Sequence, residues 1–70
     1  MDEVCTYHIA VQGQMDENAF NATSPQQITI RQVDETTTRL VTTADQSGLI
    51  GLIRHLHQRG FLILSVQREQ

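Results

Sequence analysis

The stretch "DQSGLIGLIRHLHQRGFLILSV", residues 45–66, has the clearest structural pattern in this chain. In the first part of this stretch, the spacing of the apolar residues would place them in one broad stripe along an α-helix. These residues are Leu49, Ile50, Leu52, Ile53 and Leu56. Thr43 or Asp45 is the expected N-cap of this helix, and Gly60 is the expected stop, because a left-handed backbone is favoured there. The apolar run that begins at Phe61 follows at once, so the stretch predicts a helix followed by a strand.

Three more strands are predicted upstream of this helix. Apolar and polar residues alternate over residues 4–12, 27–33 and 37–43, which is the pattern of half-buried strands. The second and third of these are separated only by the turn at residues 34–36, so they predict an antiparallel hairpin.

Residues 14–26 lie between the first two strands and are predicted to form a short helix with Phe20 as its core anchor. The order β, α, β, β, α, β then predicts one small α+β domain over residues 1–70, of the ferredoxin-like kind. Its four-stranded antiparallel sheet is expected in the order 4-1-3-2, with both helices on one face. If residues 14–26 form a loop, a βββαβ sheet with one covering helix is the alternative.

Composition excludes several classes of function. The net charge is −3 and the chain contains no lysine, which argues against nucleic acid or an anionic membrane as the main partner. The absence of lysine also excludes Schiff-base chemistry and a Walker A phosphate loop. The available zinc ligands of the Cys/His type are Cys5, His8, His55 and His57, and none shows the paired spacing of a zinc finger or ribbon. We expect neither a metal nor a cofactor.

The single cysteine and the short apolar runs favour a cytoplasmic location. Cys5 has no second cysteine with which to form an intramolecular disulfide, which fits a reducing environment. The longest apolar run, residues 61–66, is far too short to cross a bilayer, and the acidic N-terminus is unlike a signal peptide. We therefore expect a cytoplasmic protein that has no membrane partner. Because a chain of this length buries a small core, oligomerisation is the expected reinforcement.

The stretch at residues 45–66 also resembles a set of short bacterial proteins with the C-terminal pattern D-Q-x-A-L-x-G-L-L-x-x-L-x-x-L-G-L-x-L-x-S-V. The positions that match are mainly hydrophobic and turn residues: Asp45, Gln46, Leu49, Gly51, Leu52, Leu56, Gly60, Leu62, Leu64, Ser65 and Val66. Gly48 stands where alanine is usual. The set has no established activity, so the resemblance implies a fold and transfers no catalytic residue.

The two histidines near the end of the helix are the most tempting chemical feature. At 3.6 residues per turn, His55 and His57 point about 160° apart, so one helix cannot aim both at a single metal. His57 is predicted to flank the apolar stripe and His55 to lie on the opposite side. We interpret both as positive charge near a helix C-terminus, where it is favourable.

A polar row is predicted on the face of the sheet away from the helices. It contains His8, Arg31 and Arg39, together with several threonines. One interpretation is an anion-binding face, and the other is the ordinary solvated side of an antiparallel sheet.

The last strand has an apolar surplus. Leu62, Leu64 and Val66 are predicted on one face and Phe61 and Ile63 on the other, although this strand is an edge. An exposed apolar edge is an aggregation hazard unless it is covered. We expect a self-association surface made by residues of the last strand and the open sheet face, namely Phe61, Ile63, Ala10, Val41 and Val33. The alternative is that a tail or loop of the same chain covers them.

Two glycines in the helix raise a related question. Gly48 and Gly51 fall on one narrow strip with His55. Each glycine costs a helix about 1 kcal/mol relative to alanine. One explanation is that the first helix or a partner chain packs so closely against this strip that a side chain would not fit. The alternative is that the helix simply tolerates the two glycines.

These features predict a small non-enzymatic binding or assembly module that associates with itself, as a homodimer, or with another protein. The rival prediction is a ligand-sensing domain like the ACT regulatory modules, which share this element order and bind small-molecule effectors near the loop after strand 1, here "QGQMDEN" at residues 12–18. An enzyme that uses His8 or His57 is a third option, for which the sequence suggests no substrate.

Overall fold

The chain forms a four-stranded antiparallel sheet with two helices, as the periodicity predicts. A computed structural model describes residues 3–69. The elements are β1 (Cys5–Gln12), α1 (Glu17–Thr23), β2 (Thr29–Val33), β3 (Thr37–Ala44), α2 (Gln46–Gln58) and β4 (Leu62–Arg68). The strand order β2-β3-β1-β4 is the predicted order 4-1-3-2 read from the other edge, so the α+β prediction is confirmed. The loop alternative for residues 14–26 is wrong, because α1 is a helix.

Both helices begin at an aspartate that caps the first turn. The Asp16 side chain accepts a hydrogen bond from the Asn18 backbone at 3.1 Å, and Asp45 accepts one from the Gly48 backbone at 2.7 Å. Asp45 rather than Thr43 is therefore the cap of α2. Gly60 follows α2 with a φ of 88°, a conformation that favours glycine, and turns the chain into β4.

The core lies on one face of the sheet, under both helices. Its buried apolar side chains come from β1, β3 and the helices and include Ile9, Val11, Phe20, Leu40, Leu52 and Leu56. Two buried hydroxyls are satisfied by loop carbonyls: Thr38 donates to the Gly13 carbonyl at 2.7 Å and Thr42 to the Gln27 carbonyl at 2.8 Å. These bonds hold the loops that flank α1 against β3.

Each edge strand carries a β-bulge. In β2 the neighbouring pairs are Ile30 with Leu40 and Gln32 with Arg39, so Arg31 is an extra residue. One extra residue reverses which side chains face the core from that point onward. Val33 is therefore opposite the buried Thr38, on the helix side, and its predicted place on the open face is wrong.

The faces of β4 are also different from the prediction. Ile63 is opposite Val11 on the core side, and Leu62 is opposite Gln12 on the open side. Phe61 packs against the core, with its ring centroid 6.4 Å from that of Phe20. The predicted open-face positions of Phe61 and Ile63 are therefore wrong. The reason is the bulge in β4: Ser65 is opposite Ala10 and Ile63 is opposite Val11, so Leu64 is an extra residue and the facing reverses there.

The glycine strip of α2 faces the chain's own loop between α1 and β2. A Cβ added to Gly48 would lie 2.9 Å from Gln26 Oε1 and 3.1 Å from the Ala44 Cβ. At Gly51 the nearest such atom is Pro25 Cγ, at 4.0 Å. The close approach at Gly48 is thus intramolecular, which removes the reason for placing Gly48 and Gly51 in an interface with a partner chain.

No helix within residues 3–69 has both the length and the apolar character needed to span a membrane.

Candidate functional site

The face of the sheet opposite the helices is open and carries a shallow depression. The ladder sets Ala10 between Arg39 on β3 and Ser65 on β4, and sets His8 between Val41 and Gln67. Ala10 is only 5% exposed although no helix covers it. A small side chain between longer neighbours therefore forms the floor.

This open-face depression has a volume of about 200 Å³. Its walls are mainly polar side chains from all four strands: His8, Arg31, Gln32, Arg39, Ser65 and Gln67. The bulge in β2 contributes to this arrangement, because it lets Arg31 and Gln32 both line the depression beside Arg39. The structure thus brings together the three residues of the predicted polar face.

The charges in the depression are unbalanced. Its lining includes two arginines and no carboxylate. Arg31 and Arg39 form no ion pair or side-chain hydrogen bond with any residue from 3 to 69. At one end, His8 Nε2 lies 3.0 Å from Glu69 Oε1, and both side chains are about half exposed. The net charge of the chain is −3, so the depression is a basic site on an acidic molecule.

A second feature is the apolar outer edge of the sheet. Leu62, Leu64 and Val66 of β4 are 60%, 52% and 37% exposed, and we call these three residues the β4 edge patch. β4 has a neighbour, β1, on one side only. The predicted apolar surplus is therefore present at this edge, but it is formed by these residues and not by Phe61 and Ile63.

The two histidines of α2 differ from the prediction. His57 is exposed, whereas His55 is partly buried and contacts Phe20 edge-on, with 5.1 Å between ring centroids. His55 Nε2 is fully buried and has no hydrogen-bond partner among the described residues. The prediction placed His55 on the strip of α2 that carries Gly48 and Gly51, with approach of the first helix as one alternative, and α1 does contact that side through Phe20.

The loop at residues 12–18 uses its polar groups within the molecule. The Gly13 N–H donates to the Thr36 carbonyl at 2.6 Å, and Met15 is buried in the core. Cys5 is half-buried on the core side, opposite Ala44. Within the described part of the chain, no three His, Cys, Asp or Glu residues lie close enough together to hold a metal ion.

Sequence reasoning missed two features of this surface. The depression depends on the bulge at Arg31, and nothing in the alternation of residues 27–33 signals an extra residue. The burial of His55 depends on how α1 packs. The spacing of Phe20 predicted a core anchor, but it could not predict which side of α2 that anchor would touch.

Comparison with known proteins gives one match. No curated protein and no solved structure matches the chain. The family model described as "Domain of unknown function (DUF8691)" matches residues 6–67, which run from β1 into β4 and include both helices. Because this match covers most of the sequence, the chain belongs to the family Domain of unknown function (DUF8691).

Proposed function

We propose that this chain is a non-enzymatic assembly module that forms a homodimer by pairing β4 with β4 of a second copy. The observation that carries the proposal is the β4 edge patch, an exposed apolar stretch on a strand with one unpaired side. An unpaired edge offers backbone N–H and C=O groups to another strand, and exposed apolar side chains add to that attraction.

The two edges of the sheet support the choice of β4. Both carry a bulge, but β2 also has Arg31 at its centre. Charged side chains and bulges are the common means by which an edge strand avoids pairing. From Leu62 to Gln67 β4 has no charged residue. The β2 edge therefore carries a charge that opposes pairing with another strand, and the β4 edge does not.

The open face is a poorer surface for a second copy than the edge. Stacking two open faces would bring Arg31 and Arg39 of each copy toward the same residues of the other. Like charges in such proximity are unfavourable. Antiparallel pairing of β4 is self-complementary, as a two-fold interface requires. A two-fold axis near Leu64 brings the Leu64 residues of the two copies together.

The size of the core gives a reason for assembly. Domains of this length bury about 60% of the surface of the unfolded chain, so their stability is small without reinforcement. The single thiol, Cys5, leaves no intramolecular disulfide to supply it. A single thiol also needs no oxidising compartment, so we place the proposed module in the cytoplasm.

The test is the mass in solution of the wild type and of Leu64→Lys, measured by light scattering at high micromolar concentration. Burying a leucine side chain contributes about 1.5–3 kcal/mol, and a two-fold dimer buries Leu64 twice. We therefore expect the dissociation constant to rise by about a hundredfold or more. The wild type should show twice the monomer mass of 7.9 kDa, and the variant should approach the monomer mass.

Ile50→Lys is the matched control, because Ile50 is also an exposed apolar residue, at 44%, but lies on α2. It should dimerise like the wild type. Circular dichroism checks that both variants are folded. A wild type that is strictly monomeric at high concentration, or a folded Leu64→Lys variant that dimerises like the wild type, would contradict the proposal.

A further inference from the structure

We propose that the open-face depression binds a small dianion whose acidic groups are held by Arg31 and Arg39. The ligand class is a short dicarboxylate or a phosphate monoester. This site does not depend on the proposed dimer, because pairing through the edge of β4 leaves the open face uncovered.

The two arginines converge on the depression from neighbouring strands. Arg39 is on β3 and Arg31 is the extra residue of the neighbouring strand, and both line the depression. Bulges commonly redirect a side chain beside a functional site. Here the bulge places Gln32 directly opposite Arg39 and keeps Arg31 on the same side.

The positive charges of Arg31 and Arg39 are not compensated within the described residues. Like charges on adjacent strands of one face repel each other, and that repulsion lowers the stability of the sheet. No residue from 3 to 69 neutralises Arg31 or Arg39 through an ion pair, although the chain has eight acidic residues. An anion between the guanidinium groups removes the repulsion. A binding site accounts for this arrangement better than a structural role does.

The remaining walls of the depression are polar and its floor is apolar. Gln32, Gln67 and Ser65 add uncharged hydrogen-bond donors. Guanidinium groups match carboxylate and phosphate oxygens in a two-pronged geometry. The floor, by contrast, is apolar at Ala10 and Val41, which suits a short carbon skeleton between two acidic ends.

The volume of the depression limits the ligand. At about 200 Å³ it is smaller than the pockets of about 300–1,000 Å³ that hold drug-sized molecules. A dicarboxylate of a few carbons or a small phosphate ester is of suitable size. A nucleotide would extend beyond the depression, whose lining contains no Phe, Tyr or Trp on which a base could stack.

His8 lies at one end of the depression and is paired with an acidic residue of the chain. It lines the depression, but its Nε2 lies 3.0 Å from the Glu69 carboxylate. Glu69 lines the neighbouring part of the open face and not the depression itself. His8 is therefore engaged by an acidic group of the chain, and the arginines are the cationic groups left for a ligand.

The experiment is a titration followed by ¹H–¹⁵N NMR, with inorganic phosphate and succinate as separate probes at constant ionic strength set by chloride. Acetate serves as the monoanion control. We expect phosphate or succinate to shift the amide signals of Ala10, Arg39, Val41 and Ser65, and acetate to shift them much less. Which of the two probes binds more tightly identifies the acidic group that the site prefers.

The variant Arg31→Gln/Arg39→Gln removes both guanidinium groups and leaves shorter, uncharged polar side chains. It should weaken binding by about a hundredfold, tenfold for each charge-assisted contact. Because it also removes the repulsion, its thermal midpoint without ligand should equal or exceed that of the wild type. Arg54→Gln is the control, since Arg54 is exposed on α2, and it should bind like the wild type.

Three results would overturn this inference. The first is the absence of open-face shifts with both phosphate and succinate at millimolar concentration. The second is an equal loss of binding in Arg54→Gln, which would indicate general charge attraction. The third is unchanged binding in the folded double variant.

Discussion

At the scale of single residues, His55 differs most from what the helix pattern predicts. Its ring packs edge-on against Phe20, and its Nε2 is buried without a hydrogen-bond partner among residues 3–69. A buried polar atom without a partner costs about 1–3 kcal/mol, because it loses its hydrogen bond to water. His55 therefore lowers the stability of the junction between α1 and α2.

Replacing His55 by leucine should raise the free energy of unfolding by about 1 kcal/mol or more, since the unpaired nitrogen is removed and the apolar contact with Phe20 is kept. Urea unfolding measures the change. His57→Leu is the matched control, because His57 lies in the same turn but is exposed, so it gains only the helix propensity of leucine. If the two variants are equally stable, burial of His55 has no energetic effect and this prediction fails.

At the scale of elements, the glycines of α2 show how a helix is fitted to its neighbours. Gly48 and Gly51 are one turn apart, but only Gly48 is crowded, by Gln26 and Ala44. Gln26 cannot move away freely, because its Nε2 donates to the Thr43 carbonyl at 2.8 Å. The loop between α1 and β2 therefore sits directly on the first turn of α2, where a side chain has no room.

The two glycines should consequently respond in opposite ways to alanine. Gly51→Ala should stabilise the protein by about 0.5–1 kcal/mol through helix propensity, since its nearest contact would be 4.0 Å away. Gly48→Ala should give no such gain and should fall below the wild type, because the added Cβ displaces Gln26. Thermal unfolding monitored by circular dichroism measures both. A gain of equal size in Gly48→Ala would show that the loop yields without cost.

In the two edge strands, β2 and β4, the sequence predicts the strand but not which face each side chain occupies. Alternation identified β1 and β3, which carry no extra residue where they pair with each other. In β2 and β4 the extra residues, Arg31 and Leu64, change the facing partway along the strand. Such a shift depends on strand pairing and leaves no trace in composition, which is why Val33, Phe61 and Ile63 were assigned to the wrong face.

At the scale of the whole molecule, the element order and the sheet order were predictable, because each depends on periodicity and on connection lengths. The polar face was predictable in part: His8, Arg31 and Arg39 were assigned to one side correctly. Its concave shape was not, because it results from the small Ala10 lying beneath longer neighbours. The position of His55 also depended on tertiary packing, which spacing along one helix does not encode.

Hydrogen exchange tests the proposed assembly over the whole sheet. At low protein concentration, amides of β2 and β4 should exchange faster than those of β1, because each edge strand has one unpaired side. At high concentration β4 should gain protection while β2 remains unchanged, since only β4 lies in the proposed interface. Gained protection in β2, or no gain in either strand, would contradict pairing through β4.

The central position of β1 has a consequence for how the protein comes to be folded. Of the four strands, β1 is made first, yet its neighbours are β3 and β4, which are made last. Pairings between such distant segments form slowly, because a long stretch of chain must first close into a loop. During synthesis, therefore, both edges of β1 are at first unpaired. The pairing of β1 with β4 can be completed only after Arg68 has left the ribosome.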